Sequence, residues 1–514
     1  MSLNLTRDQA LELARKHRVV PVIETLFSGS ETPLSVFEKL AAAKPGSFLL
    51  ESAEQGVWAR YSFIGVNNRG TLTQANDGFA GGTTKTKPVW NSPTGASALP
   101  DGSPLADRAL DALAQLQEAW TTPAVADVPP LTSGLVGLIG WDMVREIEHL
   151  PNAKPADFKA PLMAFAMFQD LVILDHRTSS ILLVSNIFVT DATDVAAGYD
   201  EAVDRIGEMR KQLLKPASGQ LAELNLTGAI NARHRVAKEH FLKAVEDAKH
   251  FVRIGDVFQV VISQRFDLEV SASPLDVYRV LRALNPSPYM YLLNFEDADG
   301  PYAVIGSSPE ALVKVEGGRA ITHPIAGSRP RGEDFEQDQE IGEGLLADAK
   351  ERAEHLMLVD LARNDLLKVC EPSSVNVTEF MQIHRFSHIM HLVSTVEGDL
   401  REGINPVDVF KATFPAGTLS GAPKPRALEI IDDLEEAARG VYGGVVGYFD
   451  FAGNADLAIA IRTAFLRDGV ARVQAGAGLV LDSVPLTEFE ETVNKAGAPA
   501  RAVVAANGLQ RVVE

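Results

Sequence analysis

Two short stretches, far apart in the chain, carry acids at helical spacing. Residues 347–365 (ADAKERAEHLMLVDLARND) and 488–496 (EFEETVNKA) lack Gly and Pro and are rich in Ala, Leu, Glu and Lys, so both are expected to be helical. Glu351, Glu354 and His355 then share one side of the first helix, at i, i+3 and i+4. Glu488, Glu491 and Lys495 share one side of the second, at i, i+3 and i+7. Faces of this kind usually point to solvent and are held by weak surface pairs. The apolar run LMLV directly after Glu354-His355 places that pair at the edge of a core instead. Brought together, the two faces would form a hard, oxygen-rich site suited to Mg²⁺, which keeps several waters and accepts anionic substrate oxygens. The chemistry expected is metal-assisted, on a small anion.

Other residues could serve the same chemistry. Arg462 lies in the apolar, strand-like AIAIRTAF, where a cation is costly unless it is paired, binds an anion or reaches water. His391 in HIMHLVSTV and Glu310 in SSPEAL read, alone, as a core histidine and a turn acid. Four glycine-bearing segments, PIAGSRPRG (324–332), PAGTLSGAPK (415–424), Tyr442-Gly443-Gly444 and QAGAG (474–478), allow the backbone to approach a ligand closely. None has the spacing of a P-loop or dinucleotide fingerprint.

These residues need a scaffold, and composition bounds it. The chain has 514 residues, 46% apolar and 23% charged, which is ordinary for a folded domain or several. A net charge of −20 excludes a nucleic-acid backbone as partner and means that an anionic substrate must meet local positive charge. The single cysteine, Cys370, permits no intrachain disulfide, and the N-terminus lacks the apolar stretch of a signal peptide. A soluble, cytoplasmic protein is expected. Residues 170–189 read as two strands around the turn Asp175–Ser180, too polar to span a bilayer.

Polar stretches at 81–104, 121–130 and 216–231 read as loops, the last separating an N-terminal region (1–215) from a C-terminal region (232–514). Helices are expected at 236–253 and 274–284, and strands at 257–266, from 302, and at 443–451, 458–466 and 473–481. Strands grouped with long helices, without regular alternation, favour an α+β fold.

SPEAL, PIAGSRPRG, ERAEHLMLVDLARND, MHLVSTV, PAGTLSGAPK, YGGVVGYFD, IRTAF, QAGAG and EETVNKA stand in the order found in the chorismate-utilising enzymes. The chain resembles that family densely from 236 to 501, and through LLES (49–52) in its N-terminal half, most closely in the anthranilate-forming branch. The resemblance implies that family's complex α+β fold, with large antiparallel sheets flanked by helices. It implies Glu354 and Glu491 as Mg²⁺ ligands supported by Glu351 and Glu488, the metal binding the ring carboxylate of chorismate. Tyr442, Arg462, Gly476, Ala477, Gly478, Gly327, Ser328 and Lys495 would contact substrate. Glu310 resembles the general acid for loss of the ring hydroxyl, and His391, with Thr418 beside it, the residue needed for pyruvate elimination. The reaction implied adds ammonia at C2, loses the C4 hydroxyl, then releases a proton and pyruvate to give anthranilate.

Two positions separate this branch from its relatives. Isochorismate- and salicylate-forming enzymes carry a water-activating Lys in the strand 257–265; here Gln259 stands there, and a neutral amide is no general base. Aminodeoxychorismate synthases carry a nucleophilic Lys in PIKGT, whereas here Ala326 cannot attack C2. Aminodeoxychorismate synthesis remains the enzymatic alternative, with a phenazine-type enzyme stopping at the amino intermediate, and a non-catalytic tryptophan-sensing relative is the alternative from another class. Ser328 departs from the usual Thr, losing a methyl but keeping the hydroxyl. Gly497-Ala498-Pro499 is expected to end its helix early.

No glutaminase domain with a nucleophilic Cys is visible, so the resemblance implies a separate glutamine amidotransferase small subunit supplying ammonia, in a heterotetramer of two large and two small subunits. LLES and NPSPYM (285–290) match the family's regulatory pocket, in which Glu51, Ser52, Pro288, Tyr289 and Met290 would contact L-tryptophan as inhibitor.

Overall fold

Alternation of buried residues along the strands sorts the interior into layers. A computed structural model of the chain describes residues 3–42, 44–52, 60–80, 83–123, 128–216, 221–385 and 389–512. On Ser47–Glu51 and Tyr289–Asp297, Leu49, Met290 and Leu292 face one core, while Phe48, Tyr291 and Leu293 face another. On Gly134–Ile139 and Val445–Asp450, Val136, Leu138, Val446 and Tyr448 meet that second core from the other side, and Leu135, Ile139, Val445 and Phe449 face away into a third. A period of two on strands with both faces buried dictates this division. Two sheets therefore pack face to face, with helices on each outer surface.

One outer layer contains Val195–Leu213, Pro274–Leu284 and Pro485–Asn507, and the other contains Ala109–Ala119, Lys238–Arg253, Pro406–Thr413 and Lys424–Leu434. All strand pairings among the described residues are antiparallel, as the α+β reading expects. Strand pairs cross between the N- and C-terminal regions: Ser47–Glu51 pairs with Tyr289–Asp297, and Gly134–Ile139 with Val445–Asp450. Of the segment 216–231, residues 217–220 lie outside the described residues. Elsewhere in it, Ala222–Glu223 pairs with Gln510–Arg511. The loop stretches at 81–104 and 121–130 likewise hold residues outside the described ones, at 81–82 and 124–127.

Most expected elements are present with shifted ends: Lys238–Arg253, Pro274–Leu284, Gln259–Glu269, Gly300–Ser308 and Val470–Leu479. Two expectations are corrected. The stretch 458–466 is not one strand but two, Ala455–Ile459 and Thr463–Arg467, broken where Arg462 adopts φ 48°. Apolar periodicity cannot register one left-handed residue inside a β-like run. The helix carrying Glu488 and Glu491 runs from Pro485 to Asn507 and passes through Pro499. Proline costs a helix interior about 3 kcal/mol; here Pro499, Ala500, Ala502, Val503, Ala505 and Ala506 are all buried, and that packing offsets the loss.

Strand Val445–Asp450 lies between two neighbours, which leaves no room beside Gly447: a Cβ there would sit 2.0 Å from the Asp456 carbonyl oxygen. Gly447→Ala should lower the denaturant midpoint by an amount equivalent to roughly 1–3 kcal/mol. Gly207→Ala, in helix Val195–Leu213 with nothing within 4 Å of the added methyl, should raise it by about 1 kcal/mol. Equal midpoints for the two variants would contradict the packing described.

Candidate active site

Glu310 sits between strands Gly300–Ser308 and Ala311–Glu316, held by its backbone: its carbonyl accepts from Ile459 N at 2.9 Å. Its side chain points into a cavity also lined by Pro324, Leu358, Leu361, Thr418 and Ile459. Thr418, on the helical turn Gly417–Ser420, donates its hydroxyl to Glu310 Oε1 at 2.8 Å. Burial pushes the Glu310 carboxyl up to about 7, against the Thr418 hydrogen bond and the charges of Lys495 and Arg462. No cation lies within 4.0 Å of it among the described residues. The contact recorded for Thr418 is thus with Glu310, where the resemblance implied His391.

His391 faces Ser328 across the pairing of Ile325–Pro330 with Ile389–Asp399. Its Nδ1 lies 3.1 Å from the Gly327 carbonyl and 2.9 Å from Ser328 Oγ. A carbonyl can only accept, so Nδ1 carries the hydrogen and Nε2 is the basic nitrogen. Burial holds the imidazole below its ordinary pKa, opposed by the Gly327 hydrogen bond and assisted by the Arg462 charge. The strand bulges at Gly327, whose φ is 62°, and a Cβ there would lie 2.9 Å from Leu345 and 3.1 Å from Glu351 Oε2. Glycine at this point lets the backbone carrying Ser328 lie against the acidic helix.

Arg462 occupies the break between two strands. Burial lowers its pKa despite the Glu310 charge, and its one recorded side-chain hydrogen bond is a long one, to Asn285 Oδ1 at 3.5 Å. No carboxylate lies within 4.0 Å of it among the described residues. Tyr442 is buried, and its hydroxyl abuts the Gly476 backbone, 2.7 Å from where a Cβ would stand. Gly476, Ala477 and Gly478 pair with Ser263, Ile262 and Val261. Beside Gly478 lies the Gln259 amide, 2.5 Å from a hypothetical Cβ, so the position that separates relatives does adjoin the glycine strand. Lys495 donates to the Gly476 carbonyl at 3.2 Å and pairs with Glu491 at 2.6 Å.

Reasoning from motifs passed over Arg439, three residues before Tyr442. It is 2% exposed, pairs with Glu435 at 2.7 Å, stacks 4.2 Å over Trp141, and donates to the Leu419 and Val261 carbonyls at 2.8 Å. One fully paired guanidinium thereby ties the turn of Thr418 to the strand opposite Gly478. An Arg between Ala-Ala and Gly-Val in 437–441 is a faint signal of such burial.

The two acidic helices, Ala349–Leu367 and Pro485–Asn507, bring their carboxylates near each other. Burial raises Glu354, opposed by Lys350, and the charges of Glu351, Asp348 and Glu491 raise it further. Burial likewise raises Glu488, opposed by a Ser483 hydrogen bond, with Glu491 adding to the rise. Glu351 is engaged by Arg329 at 3.1 Å. No group of three acids, histidines or cysteines is already arranged around one point among the described residues. The donor set still fits Mg²⁺: hard oxygens repelling one another across two helices are what a divalent cation neutralises.

The regulatory motifs also meet, since Met290 pairs with Glu51 and the next residues along are Tyr289 and Ser52. The buried Ser52 Oγ has no partner among the described residues, and the Tyr289 hydroxyl bonds Asp456. Glu51 faces the other way, its carboxylate accepting from Tyr278 and from Arg282 at 3.1 Å. Strand alternation separates Glu51, and with it the directly opposed and buried Met290, from the Ser52–Tyr289 face. Pro288 stands next in the chain, half-buried.

Known proteins resemble this chain along almost its whole length. A sequence model of the chorismate binding enzyme family matches residues 67–501. An anthranilate synthase component 1 from Arthrobacter globiformis is 49% identical over 508 residues, spanning 98% of this chain and 93% of that protein. The crystal structure of anthranilate synthase component I from Streptococcus pneumoniae superposes with a TM-score of 0.74 at 33% identity, covering 93% of this chain and 99% of that one. A menaquinone-specific isochorismate synthase from Escherichia coli shares the fold, with a TM-score of 0.66 at 19% identity over 96% of this chain and 98% of that one.

A carboxyl raised to about 7 keeps its proton at lower pH and ionises as pH passes that value. Infrared difference spectra should show a protonated carboxyl lost near pH 7 and absent from Glu310→Gln. In Thr418→Val, which removes a hydrogen bond favouring the anion, the loss should move to higher pH. Ionisation near the ordinary glutamate value of about 4 would contradict the burial assigned to this group.

Proposed function

The chain belongs to the chorismate binding enzymes, in the branch of the anthranilate synthase component 1 proteins, and on that premise we propose which of its residues perform the reaction and how it is controlled. The observation that carries the assignment is Glu310: a carboxyl in a cavity, raised to about 7, with no ion pair among the described residues and with Arg462, which has no carboxylate partner among them, contributing to its field. A catalytic acid works best with a pKa near the working pH.

Chorismate is held by its carboxylates. Arg462, desolvated and with no carboxylate within 4.0 Å among the described residues, makes a charge-assisted contact to one of them. The Tyr442 hydroxyl and the backbone of Gly476–Gly478 fix the other end, and Gly327, Ser328 and Lys495 close the wall. Glu354 and Glu491, supported by Glu351 and Glu488, hold Mg²⁺, which when bound neutralises the ring carboxylate and orients it. Glu310 delivers its proton to the departing C4 hydroxyl as ammonia adds at C2, Thr418 steadying the carboxylate that remains. His391, neutral and basic at Nε2, then accepts the ring proton as pyruvate leaves and anthranilate forms.

Gln259 and Ala326 support ammonia as the nucleophile, since neither can activate water or attack C2 itself. Ammonia comes from a separate glutamine amidotransferase small subunit, in an assembly of two large and two small subunits. L-Tryptophan binds at the Ser52–Tyr289 face, with Pro288 beside it, and lowers activity. Asn285 supports such coupling: it opens the regulatory motif NPSPYM, bonds Ser307 at 2.9 Å, and is the recorded partner of Arg462. Reciprocity requires that chorismate then weaken tryptophan binding. No helix among the described residues is long and apolar enough to cross a membrane, in keeping with a cytoplasmic site of action.

The test is incubation of the purified chain with chorismate, Mg²⁺ and ammonium salt, following anthranilate fluorescence and pyruvate release. Turnover is expected to require Mg²⁺ and to fall with L-tryptophan. With free ammonia held constant, it should also decline as pH rises through about 7, where Glu310 loses its proton. Amino-deoxychorismate without pyruvate would point to the relatives set aside above. Tryptophan binding by folded protein with no turnover would leave a sensor and overturn the assignment.

A further inference from the structure

The segment PAGTLSGAPK supplies Thr418 to the candidate active site and ends in a lysine that the reaction leaves unused. Lys424 opens helix Lys424–Leu434, yet its side chain turns back into the protein and is only 10% exposed. Its Nζ donates to Asp365 Oδ2 at 2.6 Å and to the Thr413 carbonyl at 2.9 Å. Thr413 ends helix Pro406–Thr413, whose last carbonyls have no partner within the helix. Asp365 lies on helix Ala349–Leu367, about three turns beyond Glu354. One ammonium group therefore joins both ends of the loop 413–424 and fastens them to the acidic helix.

Charge balance does not explain this arrangement. Lys368 already pairs with Asp365 Oδ1 at 3.0 Å and reaches the Ala412 carbonyl at 3.3 Å, from a side chain that is 57% exposed. Asp365 would keep a counter-ion without Lys424. Burial of the second cation is costly and lowers the Lys424 pKa against the pull of Asp365, and apolar residues can often replace a buried ion pair without loss of stability. What Lys424 adds is geometry: Lys368 reaches only the entry of the loop, whereas Lys424 stands at its exit and closes it. Between the two ends the turn Gly417–Ser420 rests on the same helix, where a Cβ on Gly417 would collide with Leu361. Arg439 holds the middle through the Leu419 carbonyl. The hydroxyl so presented is that of Thr418, 2.8 Å from Glu310 Oε1. Arg462, Lys495 and Tyr442 are the charged and titratable groups whose fields meet at Glu310, and His323 and Asp365 share its cavity. Lys424 does not line that cavity, so it reaches Glu310 through the loop.

We propose that Lys424 is a positioning residue for the acid step: by closing the loop 413–424 and fastening it to Asp365, it holds the Thr418 hydroxyl against the Glu310 carboxylate. That Glu310 is the acid rests on the functional reading above; the placement of Thr418 by Lys424 does not. Loss of the clasp frees Thr418, and a carboxylate deprived of its hydroxyl donor holds a proton more tightly.

Infrared difference spectra of the full chain, recorded without substrate, test this by following the protonated-carboxyl band that is absent from Glu310→Gln. In Lys424→Met the loss of that band should move up by about one pH unit, the scale of a hydrogen bond to a charged group. Thr418→Val should give a shift of similar size, and adding Lys424→Met to it no further shift, because both changes remove one interaction. Lys424→Arg, which keeps the charge for Asp365, should restore most of the native position, and Lys368→Met should leave it in place. Should Lys424→Met not fold, Asp365→Asn decides: the transition moves up if the clasp governs Thr418, and down if only the charge lost from the cavity is felt. An unmoved transition in Lys424→Met, equal shifts in Lys424→Met and Lys368→Met, or additive shifts in the double variant would overturn the proposal. With no substrate present, these outcomes hold whether or not chorismate is turned over, and a failure of the functional reading shows separately as absence of anthranilate.

Discussion

Holding the Glu310 carboxyl half-buried in a cavity, with no ion pair among the described residues, is the constraint on which the rest of this structure turns. A paired carboxylate would be ionised at neutral pH and useless as a proton donor, and an exposed one would titrate near its ordinary value. The fold meets the requirement by anchoring Glu310 through its backbone to Ile459 and giving its side chain a single hydroxyl partner, Thr418. The cations are present but held off. Lys495 is occupied by Glu491 and the Gly476 carbonyl, and Arg462 is turned by its left-handed backbone at a strand break. Arg439, fully neutralised by Glu435, supplies rigidity beneath the site without contributing free charge.

The same economy of charge explains why the acidic helices lie close together. Glu354 and Glu488 are raised by burial and by their neighbours, a repulsion that the packing of Pro485–Asn507 must hold in place. Continuation of that helix through the buried Pro499 is part of this support. At the other end of the site, Asn285 lies between Ser307 and Arg462. A small displacement of the strand carrying Met290 would therefore be felt at the residue proposed to hold substrate, a short mechanical route between a regulatory face and a catalytic one.

Much of this was legible from residue types alone, for identifiable reasons. The helix faces of Glu351, Glu354, Glu488 and Glu491 follow from the stretches 347–365 and 488–496, which no glycine or proline interrupts. Collinear motifs drew Glu310, His391, Arg462 and QAGAG into one reading, which their placement around one region of the fold supports. The break at Arg462 was not legible, because a single positive φ leaves an apolar pattern intact. The persistence of the helix past Pro499 was hidden too, since burial rather than propensity decides it. Pairing Thr418 with Glu310, and turning Glu51 towards Tyr278 and Arg282, depend on which sheet face each residue takes. One-dimensional spacing fixes that face only once register is known.

The most direct test of the central claim is a crystal structure of Glu310→Gln soaked with chorismate and Mg²⁺, a variant in which the acid step is blocked but the site is kept. Chorismate is expected with one carboxylate at Arg462 and Tyr442, the other at a metal held by Glu354 and Glu491, and its C4 hydroxyl facing residue 310. Chorismate bound with its C4 hydroxyl away from residue 310, or with Arg462 contacting neither carboxylate, would contradict it.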